Sequence, residues 1–107
     1  MDVLEKSIHL IRLYDIYQSL LTEKQREYFE SYYFDDYTLQ EISENYNVSR
    51  NAVHDQLKRT ANKLVDFEEK LKLQETNQKR NKVISKLKQV IKEESLLQLI
   101  DELEKVE

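Results

Sequence analysis

The sequence contains no glycine, no proline and no cysteine. Glycine supplies the positive-φ positions of tight hairpin turns and proline presets turn geometry. A multi-stranded β protein lacking both would be very hard to connect. Turns built from Asn, Asp, Ser and Thr suit helix-to-helix corners, so the chain reads as all-α. Without cysteine there are no disulfides, no thiolate catalysis and no cysteine metal sites. The opening MDVLEKSIHL has no basic region followed by an apolar run, so it does not read as a secretory signal. Nor does any apolar stretch approach the ~20 residues needed to cross a bilayer. A cytoplasmic protein without a membrane span is expected.

What is present is charge, helical periodicity and seven tyrosines. The net charge of −4 argues against a polyanionic partner, but its distribution matters more than its total. Residues 22–48 hold seven acidic and two basic side chains. Residues 49–63 reverse this, with Arg50, Lys58, Arg59 and Lys63 against Asp55 alone. A second basic stretch contains Lys79, Arg80, Lys82, Lys86, Lys88 and Lys92 before the acid Glu93.

At 107 residues the chain is the size of one ordinary domain, and a single all-helical domain over 1–107 is expected. Helical spacing predicts a first helix from about Val3 to Leu20, with Leu4, Ile8 and Ile11 on its apolar face. Leu10, Leu13, Tyr14, Tyr17 and Leu21 widen that face. A face so wide needs a large partner, for which the C-terminal segment is the candidate. Thr22-Glu23-Lys24-Gln25 has the form of a capping box, in which Thr caps the helix and Gln reaches back. The helix it starts carries Tyr28, Phe29, Tyr32 and Tyr33. These could stack nucleic-acid bases, but their i,i+4 spacing favours a core role. Tyr37 and Tyr46 read as corner packing.

A second capping box, Thr38-Leu39-Gln40-Glu41, opens a short helix ending near Asn45. Asn47 then suits a left-handed turn, and Ser49 caps a helix running to about Leu73. Gln74–Lys82 is polar enough to form a mobile joint. Two amphipathic helices complete the chain, over about Thr76–Lys92 and Ser95–Val106, with Ser95 as N-cap. A core over residues 22–73 and a helical extension over 76–106 follow.

Thr38 to Leu57 is the informative stretch. A short helix, a sharp turn and a second helix, apolar inward and polar outward, make a helix-turn-helix. Leu39, Ile42, Val48, Val53 and Leu57 supply the packed positions. Ser49 and the free N–H groups behind it suit a phosphate. Arg50, Asn51 and His54 stand where base edges would be reached, while Lys58 and Arg59 suit backbone phosphates. Lys79, Lys82, Lys86 and Lys88 form a second candidate face for RNA or phosphate, with a plain solvated helix face as the alternative. His9 and His54 are the only histidines and do not make a metal site. No glycine-rich phosphate loop or Ser/His/Asp spacing points to catalysis, and no cofactor is implied.

The stretches Leu21–Glu27, Thr38–Ser43 and Asn47-Val48-Ser49-Arg50 resemble the fourth conserved region of bacterial sigma factors. The corner Tyr32-Tyr33-Phe34-Asp35-Asp36-Tyr37 and the segment Ser49–Asp55 narrow this. With them the chain resembles the YlxM family of small bacterial helix-turn-helix proteins, over roughly residues 1–75. That resemblance implies a sigma-region-4-like helix-turn-helix core with packed N- and C-terminal helices and a DNA-binding or regulatory role. It also implies a link to the signal recognition particle pathway, because the gene in such families lies beside those of the particle's GTPases. Two positions depart from the sigma pattern: Ser43 replaces a glycine or alanine, and Asn47 replaces the turn glycine. Asp55 adds a carboxylate that repels phosphate on the recognition helix. DNA or RNA and the particle's components are therefore the expected partners. The apolar faces of residues 4–21 and 83–103 suggest a homodimer, whose recognition helices would lie about 34 Å apart on duplex DNA.

Overall fold

The structure is a computed structural model that describes residues 2–106, in six α-helices with no strand among them. The chain divides into two compact units, Met1–Lys72 and Leu73–Glu107.

The first unit begins with α1 (Val3–Tyr17), whose N-cap Asp2 accepts a hydrogen bond from the Glu5 backbone N–H at 2.8 Å. The helix ends at Tyr17 rather than Leu20, because Gln18–Leu20 tightens into a 3-10 turn. The Arg26 guanidinium secures that turn by donating to the Leu21 carbonyl at 2.9 Å. Helix α2 (Glu23–Tyr33) opens with the reciprocal Thr22–Gln25 capping box, and α3 (Leu39–Tyr46) with the Thr38–Glu41 box. Between them the chain turns through Asp36, at φ 57°, while the Tyr37 N–H closes onto the Ser31 carbonyl.

Helix α4 (Arg50–Leu71) is the spine of this unit, packed by α1, α2 and α3. Two apolar clusters meet along it. One joins Leu10, Leu13, Tyr14, Tyr17 and Leu21 to Phe29 and Leu64. The other joins Tyr28, Ile42 and Val53, with Leu39, Tyr46, Val48 and Leu57 around them. The wide face of α1 finds a partner in α4 of the same unit. Its buried stripe is Leu10, Leu13, Tyr14 and Tyr17, whereas Leu4 and Ile8 lie exposed one to two turns earlier. The Tyr17 hydroxyl, itself buried, donates to Glu68 Oε1 at 2.7 Å and ties α1 to α4.

Of the aromatic group on α2, Tyr28 and Phe29 are buried and Tyr33 is half-buried. Tyr32 is exposed, correcting the expectation that all four are core. Phe29 stacks on Tyr14 with ring centroids 4.4 Å apart, and Tyr28 meets Tyr46 edge-on at 4.8 Å. The corner residue Tyr37 also remains exposed.

Helix α4 stops because Lys72 adopts a left-handed conformation, φ 53° and ψ 33°. The second unit follows at once with α5 (Leu73–Val90), then α6 (Glu94–Lys105). The polar run Gln74–Lys82 is therefore helix and not a joint. Polar residues compete with helix only when their side chains capture the backbone, and here they bond one another along the helix. Lys79 pairs with Glu75 at 3.1 Å and Arg80 donates to Asn77. At the start of α6 the cap position is Glu93, not Ser95. The Ser95 hydroxyl instead donates to the Glu93 carboxylate at 3.0 Å. Ile84 and Ile100 are the buried apolar centre of this α-hairpin, in which α5 packs on α6. Lys88 bridges Asp101, at 3.3 Å, and Glu104, and these bonds hold it above the ordinary lysine range.

Candidate nucleic-acid interface

The geometry that defines this site is the α3–α4 turn. Asn47 sits at φ 54° and ψ 46°, the left-handed region that a Cβ normally disfavours by about 1–2 kcal/mol and that Asn tolerates best after Gly. Its N–H and that of Val48 close onto the Ser43 carbonyl, satisfying the end of α3 within one residue. Ser43, where the sigma pattern has a smaller residue, is buried, and its hydroxyl is satisfied by donating to the Gln40 carbonyl at 2.7 Å. Ile42, Val53 and Tyr28 then lock the two helices together.

Ser49 caps α4 by accepting from the Ala52 N–H at 3.0 Å. The first-turn N–H groups of Arg50 and Asn51 have no acceptor inside the helix, and the helix dipole makes this end partly positive. Ser49, Arg50, Asn51, His54, Lys58 and Arg59 are all exposed. They lie on one element, over the N-terminal half of α4, with the side chains of Val53 and Leu57 turned to the core behind them. At 3.6 residues per turn, Asn51, Asp55, Lys58 and Asn62 follow one another along the outward face, with Arg59 at its edge.

Asp55 thus stands in the middle of the cationic group rather than at its margin. Its carboxylate lies 3.6 Å from His54 Nδ1, and both side chains are largely open to solvent. Two further cations come from other helices and carry no signal in the sequence around the motif. Lys6 of α1 borders the same groove as Lys58, and Lys24 of α2 borders a hollow shared with Asp55 and Arg59. Arg50 borders a third hollow with Tyr32 and Tyr37. Only the tertiary packing of α1 and α2 against α4 reveals these neighbours.

The second basic stretch is less uniform than its sequence. Lys79 and Lys88 are engaged by Glu75 and by Asp101 with Glu104, respectively. Lys82 and Lys86 have no ion-pair partner among the described residues and line an open hollow with Gln78, Asn81 and Ser85. No group of three metal-binding side chains occurs among the described residues, and none of their helices is long and apolar enough to cross a membrane.

Residues 4–104 match the family described as "Putative helix-turn-helix protein, YlxM / p13 like", UPF0122. The chain belongs to the UPF0122 family. It is 51% identical to a UPF0122 protein of Anoxybacillus flavithermus, over 98% of this chain and all of that protein. It is 46% identical, over the same shares, to UPF0122 proteins of Bacillus cereus and Bacillus anthracis. The family description agrees with the α3–turn–α4 geometry found in this UPF0122 chain.

Proposed function

We propose that this protein is a non-enzymatic, cytoplasmic regulator that binds duplex DNA through the N-terminal half of α4. The observation that carries this reading is the left-handed Asn47 turn followed by the Ser49-capped N-terminus of α4. That turn presents Arg50, Asn51, His54, Lys58 and Arg59 around the exposed half of a helix whose other side packs on the core, with Arg50 and Arg59 at its two edges. Arg50 and Asn51 are suited to base edges, and Lys58 and Arg59 to flanking phosphates. Asp55 at the centre of the face repels phosphate and can accept a hydrogen bond from cytosine N4, so it favours selective over indiscriminate binding.

Arg50→Glu with Lys58→Glu tests the reading. Binding to duplex DNA should be lost, and any residual binding should show a much flatter dependence on salt. Unchanged affinity in that variant would refute it.

A second reading has its own observation. Lys82 and Lys86, unpaired beside Gln78, Asn81 and Ser85, form a donor-rich face on α5 that suits an RNA backbone. On that reading the protein is an accessory of the signal recognition particle, bound to its RNA or its GTPase. Lys82→Glu with Lys86→Glu should then abolish binding of the particle's RNA while Arg50→Glu leaves it intact.

A further inference from the structure

The outward face of α4 has two flanks, and a different helix stands beside each. At about 100° of turn per residue, Lys58, Ala61 and Val65 point to one flank, and Ala52, Gln56 and Arg59 to another about 150° round. Asn51, Asp55 and Asn62 lie between them. On the first flank a groove of about 320 Å³ is lined by Lys58, Ala61 and Val65 together with Lys6 of α1. On the second, a hollow of about 340 Å³ is lined by Ala52, Gln56 and Arg59 together with Lys24 of α2. Each flank therefore pairs a cation of α4 with one from another helix, Lys58 with Lys6 and Arg59 with Lys24.

All four side chains belong to exposed residues, and none has an ion-pair partner among the described residues. The Lys24 ammonium lies 6.0 Å from the centre of the buried Tyr28 ring, a cation–π contact that steadies it beside α4. No carboxylate lines the first groove, and Asp55 alone lines the second hollow. In a chain of net charge −4, two cation pairs so placed ask for a ligand with negative charge along both sides of α4.

A duplex has that form. The major groove is about 12 Å wide and a helix with its side chains about 10–12 Å across, so an inserted helix has a phosphate backbone along each flank. We propose that Lys6 and Lys24 are phosphate-binding residues, one on each flank, so that α1, α2 and α4 together grip both strands. Asp55, on the midline, then stands farthest from the two backbones, where its carboxylate repels phosphate least and can meet a base edge. The proposal rests on the duplex-DNA reading above and deepens it. It assigns phosphate contacts outside the helix-turn-helix motif, and it makes the surface prefer two strands to one.

Salt titrations of the full chain test this with a labelled duplex and with one of its strands alone. The samples are wild type, Lys6→Ala, Lys24→Ala and the double variant, each checked for unchanged helix content by circular dichroism. Lys70→Ala is the control, since Asp66 already engages Lys70 at 3.0 Å. On the duplex, the slope of log affinity against log salt should become shallower by about 1 in each single variant and about 2 in the double. Lys70→Ala should leave it unchanged. On the single strand the double variant should lose no more than one contact, a change of about 0.7. If wild type binds the duplex but either Lys6→Ala or Lys24→Ala keeps its slope, the two-sided grip is overturned and the DNA reading stands. Loss of both contacts on the single strand would overturn it too, because one strand would then serve both lysines. So would a matching loss in Lys70→Ala, which would mean that net charge rather than position sets the slope. If wild type binds no duplex even at low salt, the DNA reading fails and the grip with it.

Discussion

The two left-handed residues that end helices α3 and α4 invite comparison, for they do the same geometric work with different chemistry. Asn47 follows a capped helix and precedes another, and its neighbours Tyr46 and Val48 pack on the cluster of Tyr28, Ile42 and Val53. Lys72 lies in the same left-handed region, yet its side chain offers nothing that favours it, and the hairpin beyond it is held by Ile84 and Ile100. In the first unit, local preference, capping and burial agree; in the second they agree less. Agreement across levels makes a turn rigid and legible. It also suggests why recognition is attached to the first turn, since a helix can present side chains accurately only when its support does not move.

The largest effect that sharpens this contrast is in the cores. Phe29→Ala removes a side chain with no exposure, stacked on Tyr14, and should cost the first unit about 3–5 kcal/mol in urea denaturation. Ile100→Ala in the hairpin should instead raise amide hydrogen exchange in α5 and α6 while leaving α2–α4 protected. Equal losses of protection in both units would break the comparison.

Alkaline titration comes next. Burial first, and then the Glu30 carboxylate, push the Tyr14 hydroxyl up to about 12 from an unfolded value near 10. The neutral form is thus favoured by the fold, so its stabilising contribution is complete below pH 10 and is lost as pH rises toward 12. The hydroxyl is buried and no carboxylate lies within full hydrogen-bond geometry of it, although Glu30 is near enough to raise it, so Tyr14→Phe removes the titrating group without stranding a buried partner. This variant should hold its structure to higher pH than wild type, as followed by circular dichroism. Identical alkaline midpoints would show that Tyr14 does not govern the transition.

Caps give a smaller effect. Ser49→Ala should cost about 1 kcal/mol, and Glu93→Ser, which supplies α6 with the side-chain cap it lacks, should add about 0.5–1 kcal/mol to the hairpin. The smallest effect separates the two turns themselves. Lys72→Gly should stabilise by about 0.5–1 kcal/mol and Asn47→Gly should change little, since Asn already tolerates the conformation. A larger gain at Asn47 than at Lys72 would contradict the comparison.

These contrasts also explain what was legible in the sequence. Both capping boxes, the Asn47 turn and the Ser49 cap are short-range chemistry, and each is found in place. The end of α4 is legible to within two residues, about Leu73 against Leu71, but the left-handed Lys72 that makes it leaves no local signature. Polarity over 74–82 then pointed to a joint where side-chain pairing along α5 sustains a helix. Tyr32 illustrates a third limit. Its i,i+4 spacing from Tyr28 is that of a core residue, yet it lies at the surface beside Tyr33, bordering two open hollows. Lys6 and Lys24 stand near the recognition helix because α1 and α2 pack on α4, a relation that spans more than thirty residues of sequence.

The most direct test of the central claim compares one lysine from each unit. Affinity for a labelled duplex is measured against salt concentration for wild type, Lys58→Ala and Lys86→Ala. If α4 is the nucleic-acid face, Lys58→Ala lowers the slope of log affinity against log salt by about 1, and Lys86→Ala leaves it unchanged. A slope altered by Lys86→Ala and untouched by Lys58→Ala would place nucleic-acid binding on α5 and contradict the account.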